Sequence, residues 1–168
     1  MAGTRVDNQR QAGGEQAGTV GCLFVASSGG HLFELLQLRD GWAREQRHWV
    51  TFDTPDARSL LSGEAVTFAA HPTNRNLPNL VRNFFLAIRL LRRKRPRAIL
   101  TTGAGVAVPF CWLGRLRGSR IVYIESFARV DSPSLTGRLV HPVAHDFFVQ
   151  WPEVCQFFPK AKYRGALF

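Results

Sequence analysis

The sequence predicts an α/β fold: a Rossmann-like parallel sheet with helices on both faces, spanning residues 19–168. Three observations carry that expectation. Short apolar runs rich in β-branched and aromatic residues alternate with segments of helical spacing, the order that feeds a parallel sheet. Two of those runs end in glycine bends, Ser27-Ser28-Gly29-Gly30 and Thr102-Gly103-Ala104-Gly105. The 168 residues, 45% of them apolar, suffice for one domain with a buried core.

Residues 1–18 are polar, rich in Gly and Gln and without period, and read as a disordered leader. The apolar run from Val20 to Ala26 then reads as a buried first strand. Ser-Ser-Gly-Gly breaks it, and spaced apolar groups predict a helix over residues 31–38. A strand, a glycine turn and a helix start in that order leave N–H groups pointing outward, an anion-friendly corner. His31 stands at its mouth, where a neutral imidazole is able to take a proton from an attacking hydroxyl. The alternative is a plain tight turn with a histidine at the helix start. Residues 47–52 form a second strand, 57–62 a short helix and 65–69 a third strand. His48 and His71 read as hydrogen-bonded strand-end histidines, since neither has a partner at metal-ligand spacing.

Residues 79–93 are the next helix, with Leu80, Val81, Phe84, Phe85, Ile88 and Leu91 at i, i+3/i+4, i+7 spacing. Arg89, Arg92, Arg93, Lys94 and Arg95 crowd its C-terminal end, where cations complement the helix dipole. Phe84, Phe85, Leu86 and Leu90 carry apolar surface around more than one face. Aromatics beside cations suit a helix lying on an anionic membrane surface. The expected membrane contacts are Leu80, Phe84, Phe85, Ile88, Arg92, Arg93, Lys94 and Arg95.

A fourth strand over 98–101 runs into the second glycine bend, followed by a helix over 106–116. A fifth strand, 120–124, delivers Glu125 and Ser126 to the same end of the sheet. A helix over 135–144, a sixth strand over 146–150, a short helix reaching 158 and an edge strand over 162–164 complete the pattern. His141 and His145 are four apart, but Pro142 intervenes and no carboxylate or thiol completes a set, so no metal site is expected.

Ligands of parallel α/β sheets bind at the carboxyl ends of the strands. That rule gathers Ser27, Ser28, Gly29, Gly30, His31, Thr102, Gly103, Gly105, Glu125 and Ser126 into one crevice. Neither a dinucleotide Gly-x-Gly-x-x-Gly after the first strand nor a P-loop occurs. With 22 Lys+Arg against 12 Asp+Glu, the net charge of +10 favours anionic partners. A basic nucleic-acid-binding α/β domain is therefore an alternative, against which the cations cluster beside Phe and Leu and no nucleic-acid motif is recognisable. A stand-alone hydrolase or sugar-nucleotide-binding protein using the same crevice is another. Three scattered cysteines suit reduced thiols. No signal peptide and no run long enough to cross a bilayer is present, so the protein is expected on the cytosolic side.

Four motifs in order, Ser27-Ser28-Gly29-Gly30-His31, Thr101-Thr102-Gly103-Ala104-Gly105, Ile124-Glu125-Ser126 and Val149-Gln150-Trp151-Pro152-Glu153, resemble the acceptor-side subunits of two-chain glycosyltransferases. That family includes bacterial polysaccharide-biosynthesis proteins of the PssD type and the membrane-anchoring subunit of the eukaryotic transferase that builds chitobiosyl-diphosphodolichol. It resembles the N-terminal half of the GT-B fold, as in MurG. The resemblance spans Val20 to Phe168 and implies an acceptor-binding subunit, inactive alone. The implied reaction adds a sugar to a lipid-(di)phosphate-linked saccharide in exopolysaccharide or cell-surface glycan synthesis. This chain would bind no cofactor, because a separate donor-binding subunit would hold most of the UDP-sugar.

Carried over by resemblance, Gly29 and Gly30 bring N–H groups to the acceptor diphosphate, with Ser27, Ser28, Thr102 and Ser126 beside them. His31 or Glu125 is the general base, and Gly103 and Gly105 line the groove. The basic-rimmed helix falls where MurG-type domains present a membrane patch, implying a peripheral position on the cytoplasmic face of the plasma membrane. The eukaryotic subunit has an N-terminal span for which residues 1–18 are too polar, so membrane contact is expected to rest on the patch and the partner.

Overall fold

The computed structural model describes residues 20–73 and 76–167; the expected leader lies outside them. In the first strand, β1 (Cys22–Val25), Leu23 and Val25 enter one apolar cluster while Cys22 and Phe24 enter another, and all four are fully buried. A strand covered on both faces belongs in the middle of a sheet with helices on each side. The other strands are β2 (Arg47–Phe52), β3 (Val66–Ala69), β4 (Ala98–Thr101), β5 (Arg120–Ile124), β6 (Asp146–Val149) and β7 (Ala161–Tyr163). They form one sheet in the order β3-β2-β1-β4-β5-β6-β7, with every neighbouring pair parallel. The chain winds outward from β1 to β3 and then returns to the other side of β1 at β4. The expected fold class is borne out, and the order reverses between β1 and β4.

Among the described residues the α-helices are α1 (Gly30–Leu36), α2 (Pro55–Leu60), α3 (Leu77–Lys94), α4 (Ala107–Leu116) and α5 (Leu135–Val140). Ala87 and Leu91 of α3 and Phe110 of α4 meet Leu23, Ile99 and Tyr123 in one cluster. Leu32 and Leu35 of α1 and Ala57 of α2 meet Phe24 and Trp49 in the other, where the Phe24 and Trp49 rings stack at 4.4 Å. Asp146 ties three strands, accepting from Arg120 of β5 at 2.7 Å and from Lys162 of β7 at 3.0 Å.

Element ends follow local chemistry. α3 starts two residues before the expected position because Pro78 suits the first turn and the Asn76 side chain accepts from Asn79 N at 3.0 Å. The helix expected over 135–144 stops at Val140, since Pro142 has no N–H to continue it, and His141–Val143 form a 3-10 turn. The short helix expected to reach 158 is the 3-10 turn Pro152–Phe157. His48 meets Thr67 Oγ1 at 2.8 Å across β2 and β3. His145 Nδ1 accepts from Ile121 N at 2.9 Å, and His141 lies edge-on to Phe147.

α3 is built as a two-sided helix. Asn83, Ala87, Leu90 and Lys94 recur at i, i+4, i+7, i+11 on the sheet-facing stripe, and Lys94 is only 8% exposed. That burial corrects its expected place among the membrane contacts: the residue falls on the wrong side of the helix. The outer stripe leaves Leu77, Val81, Phe84 and Phe85 exposed, while Ile88 is half-buried. Among the described residues no helix is long and apolar enough to cross a membrane.

Asn83 sets where this helix sits. Its side chain accepts from Ala70 N at 2.8 Å and donates to Ala70 O at 2.9 Å, imitating one more strand pair just past β3. Replacement by leucine leaves both Ala70 groups without that partner. Asn83→Leu is expected to lower stability by about 2–6 kcal/mol, at roughly 1–3 kcal/mol for each of the two stranded polar groups. A urea denaturation midpoint measures it; an unchanged midpoint would contradict this role.

Candidate functional site

A cavity of about 810 Å³ opens at the carboxyl ends of the central strands, where the strand order reverses. Ser27, Ser28 and His31 reach it from the bend between β1 and α1, and Ala104 and Gly105 from the bend after β4. Ser126, Ala128 and Arg129 follow β5, and Ser134, Leu135 and Leu139 come from the start and outer side of α5. His71, Thr73, Leu80 and Val108 close the remaining wall. Three loops far apart in sequence thus converge as the strand-end rule requires.

His31 is held in the first turn of α1 by the second glycine bend. Thr102, fully buried at the end of β4, donates its hydroxyl to the His31 carbonyl at 2.7 Å. Gly103 has φ +115°, and a Cβ there would stand 3.0 Å from Tyr123 Oη and 3.5 Å from His31 Cε1. Only glycine lets the backbone pass so close to the imidazole in that conformation. His31 Nδ1 is buried without a hydrogen-bond partner among the described residues. Burial pushes the imidazole pKa below its usual range; contact with the Thr102 main chain works against this, and the charge of Arg129 lowers it further. The ring is therefore neutral at neutral pH, the form that accepts a proton.

Glu125 lies behind the cavity wall, 1% exposed, and does not line the cavity. Its Oε1 accepts from Ser126 N at 3.2 Å and Tyr123 Oη at 3.4 Å, and its Oε2 from Ser134 Oγ at 3.0 Å and Ser134 N at 3.3 Å. Ser134 caps α5 by accepting from Gly137 N at 2.8 Å. A Cβ on Gly137 would run into the Glu125 carboxylate, so glycine is what lets α5 approach it. Burial, reinforced by the charge of Glu125, pushes the Tyr123 hydroxyl well above its usual range and keeps it a donor. Of the two expected bases, only His31 meets the cavity.

Glu34 escaped the sequence reading. It sits on α1, 5% exposed, and its Oε1 accepts from Ser126 Oγ at 2.9 Å and Phe127 N at 3.2 Å. Its Oε2 accepts from Gln150 Nε2 at 3.1 Å, and that amide also donates to Glu125 O at 3.1 Å. The one sequence hint is a carboxylate set among Leu32, Leu35 and Leu36; its partners are 92 to 116 residues away. Burial raises its pKa, opposed by the hydrogen bonds from Ser126, Phe127 and Gln150 and aided by the charge of Glu125.

The remaining expected residues divide. Ser27, Ser28, Gly105 and Ser126 line the cavity, whereas Thr102 and Gly103 stand behind His31. Gly29 and Gly30 are exposed beside it, with Gly29 N donating to Asp56 Oδ2 at 3.2 Å. Arg129 and His71 join the lining without having been singled out as site residues. Leu80 lines the cavity and also belongs to α3, so the apolar wall continues toward exposed Phe84 and Phe85. Arg92, Arg93 and Arg95 lie exposed at the other end of that helix. Among the described residues no three His, Cys, Asp or Glu side chains converge as a metal site.

Residues 22–167 match the family described as "Oligosaccharide biosynthesis protein Alg14 like". The human UDP-N-acetylglucosamine transferase subunit ALG14 is 30% identical over 176 residues, covering 86% of this chain and 82% of the human one. The protein of the same name from Eremothecium gossypii is 37% identical over 117 residues, covering 64% of this chain and 52% of its own. Among solved structures, MurG of Acinetobacter baumannii superposes with a TM-score of 0.67 at 18% identity, over 86% of this chain and 45% of MurG. UDP-N-acetylglucosamine 2-epimerase of Rickettsia bellii gives 0.66 at 9% identity, over 89% and 45%. These two likenesses concern the fold, and the chain spans less than half the length of either structure.

The buried Glu34 has a pH signature. A carboxyl with a raised folded-state pKa holds its proton more tightly in the native than in the unfolded protein. Stability is therefore expected to fall as pH rises from the ordinary glutamate range through the raised value. Glu34→Gln is expected to remove that slope, whatever its effect at one pH, as read from Tm across an acid pH series. Parallel pH profiles for the two proteins would refute the assignment.

Proposed function

The chain belongs to the Alg14-like family of oligosaccharide biosynthesis proteins, and on that premise we propose that it is the acceptor-binding subunit of a heteromeric UDP-sugar-dependent glycosyltransferase. The observation that carries this reading is the family match over residues 22–167, which takes in the whole sheet and every described loop lining the cavity. The relatives named as UDP-N-acetylglucosamine transferase subunits support both the transferase chemistry and a second chain. The likeness to MurG supports the fold of such a subunit, and in this reading the partner holds most of the UDP-sugar. The acceptor is a lipid-(di)phosphate-linked saccharide used in exopolysaccharide or other cell-surface glycan synthesis.

In the proposed reaction, His31 removes the proton from an acceptor hydroxyl as that oxygen attacks the sugar's anomeric carbon. The new glycosidic bond forms, the bond to UDP breaks, and UDP departs with both phosphates on the partner's side. A neutral imidazole lining the cavity suits this step. Ser27, Ser28, Gly105 and Ser126 surround the acceptor, whereas Gly29 N, already donating to Asp56 Oδ2, is not offered to it. Thr102 and Gly103 position His31, while Glu125 positions α5 through Ser134 instead of serving as base.

The lipid is approached from α3. Leu77, Val81, Phe84 and Phe85 enter the membrane surface, and the exposed Arg92, Arg93 and Arg95 meet anionic headgroups. The wall through Leu80 then leads from the bilayer to the cavity. This assigns the basic excess to an anionic membrane at the cytoplasmic face of the plasma membrane, with no nucleic acid involved.

Co-expression with a candidate donor-binding chain and assay of a UDP-sugar panel on membranes tests the assignment. Transfer is expected only with both chains, and His31→Ala is expected to lower it about 10²-fold or more. Transfer by this chain alone would overturn the two-subunit reading. Separately, the Phe84→Asp/Phe85→Asp double variant is expected to bind phosphatidylglycerol vesicles at least about tenfold more weakly, since each buried Phe contributes about 1.5–3 kcal/mol. Undiminished vesicle flotation would remove α3 as the membrane contact.

A further inference from the structure

The turn after β5 is held from several sides. Ser126 donates its hydroxyl to Glu34 at 2.9 Å, and Phe127 N donates to the same carboxylate oxygen at 3.2 Å. Ala128 N donates to Ser126 Oγ at 3.4 Å, and Arg129 N closes the turn on Ser126 O at 2.9 Å. Phe127 O accepts from Trp151 Nε1 at 2.6 Å, and Gln150 braces Glu34 from behind. These bonds secure the backbone of the turn and leave the Arg129 side chain on the cavity.

Two features of that side chain point to an anion. Among the described residues Arg129 is the only Arg or Lys lining the cavity, and no Asp or Glu lines it. Nor does any described carboxylate pair with Arg129, whereas Arg47, Arg58 and Arg120 all have such partners. A guanidinium offers a planar fork of donors matched to phosphate oxygens. Its charge is felt at His31, the neutral group that shares the cavity.

We propose that Arg129, presented by the turn that Glu34 braces, binds a phosphate of the lipid-linked acceptor and so sets the acceptor's sugar hydroxyl against His31. Arg129 is thus a binding residue and Glu34 a positioning residue. The assignment rests on the acceptor reading above for the source of the phosphate. The same guanidinium chemistry would serve the diphosphate of a UDP-sugar, and the two sources are separable by experiment.

Calorimetric titration of the full chain with farnesyl diphosphate, and separately with UDP, reads binding without catalysis. Farnesyl diphosphate is expected to bind the wild type, Arg129→Gln to weaken it at least about tenfold, and Arg129→Lys to fall between, because lysine keeps the charge but loses the fork. In the two-chain enzyme, Arg129→Gln is expected to raise the acceptor KM about tenfold with the donor KM unchanged. Glu34→Ala should raise the acceptor KM in the same way, and Glu34→Gln, which keeps an acceptor oxygen for Ser126 and Phe127, should restore most of it. Variants are compared at matched thermal melts, and Arg129→Lys carries the test if Arg129→Gln does not fold. The proposal is overturned if folded Arg129 variants leave farnesyl diphosphate binding and acceptor KM unchanged, or if UDP binding and donor KM are what change. If no UDP-sugar is transferred yet farnesyl diphosphate binding still depends on Arg129, the phosphate site stands and the transferase reading fails.

Discussion

Taking the Glu34 carboxyl out of water is costly unless donors replace the solvent, and the fold supplies them from two segments distant from α1. α1 carries the carboxyl, the turn after β5 brings Ser126 and Phe127, and the end of β6 brings Gln150. These segments meet only if the crossovers are wound in their observed order and the strands end at matching heights. The same carboxyl thus joins the first glycine bend to the wall facing it across the cavity. Its hydrogen bonds convert a general property of parallel sheets, a crevice at the strand reversal, into a particular shape.

A second buried acid does different work nearby. Glu125 has its oxygens occupied by donors from Tyr123, Ser126 and Ser134, and it anchors the N-terminus of α5 through the serine cap. An acid so engaged orients α5 and does not face the cavity. His31 is the reverse case, with its main chain fixed by Thr102, its ring packed beside Gly103 and its Nδ1 without a described partner. Among the described residues the cavity therefore presents the His31 and His71 imidazoles and the Arg129 guanidinium, with the Glu34 and Glu125 carboxyls held behind its walls.

α3 links this cavity to the surface by obeying two periodicities at once. Its inner stripe mixes Ala87, Leu90 and Leu91 with Asn79 and Asn83, whose amides bond the chain between β3 and α3. Its outer stripe is apolar at the N-terminal end and basic at the C-terminal end. Because Leu80 belongs both to the helix and to the cavity wall, a molecule reaching the cavity along α3 meets continuous apolar surface. In the proposed reading that molecule is the acceptor lipid.

Much of this protein was legible in its residues. The strand–helix alternation, both glycine bends, His31 at the first of them and the apolar outer face of α3 all follow from patterns within a few turns or strand lengths. Such patterns act through backbone propensity and local periodicity, which are written along the chain. The interior place of Lys94, the engagement of Glu125, the bracing by Glu34 and the exposed cation Arg129 were decided only by the tertiary structure. Lys94 turned on the phase of one helix against the sheet. Glu34 and the turn bearing Arg129 depend on hydrogen bonds between residues 92 to 116 positions apart. The energy of such a pair depends on which groups meet once water is excluded, and that follows from the winding of the whole sheet.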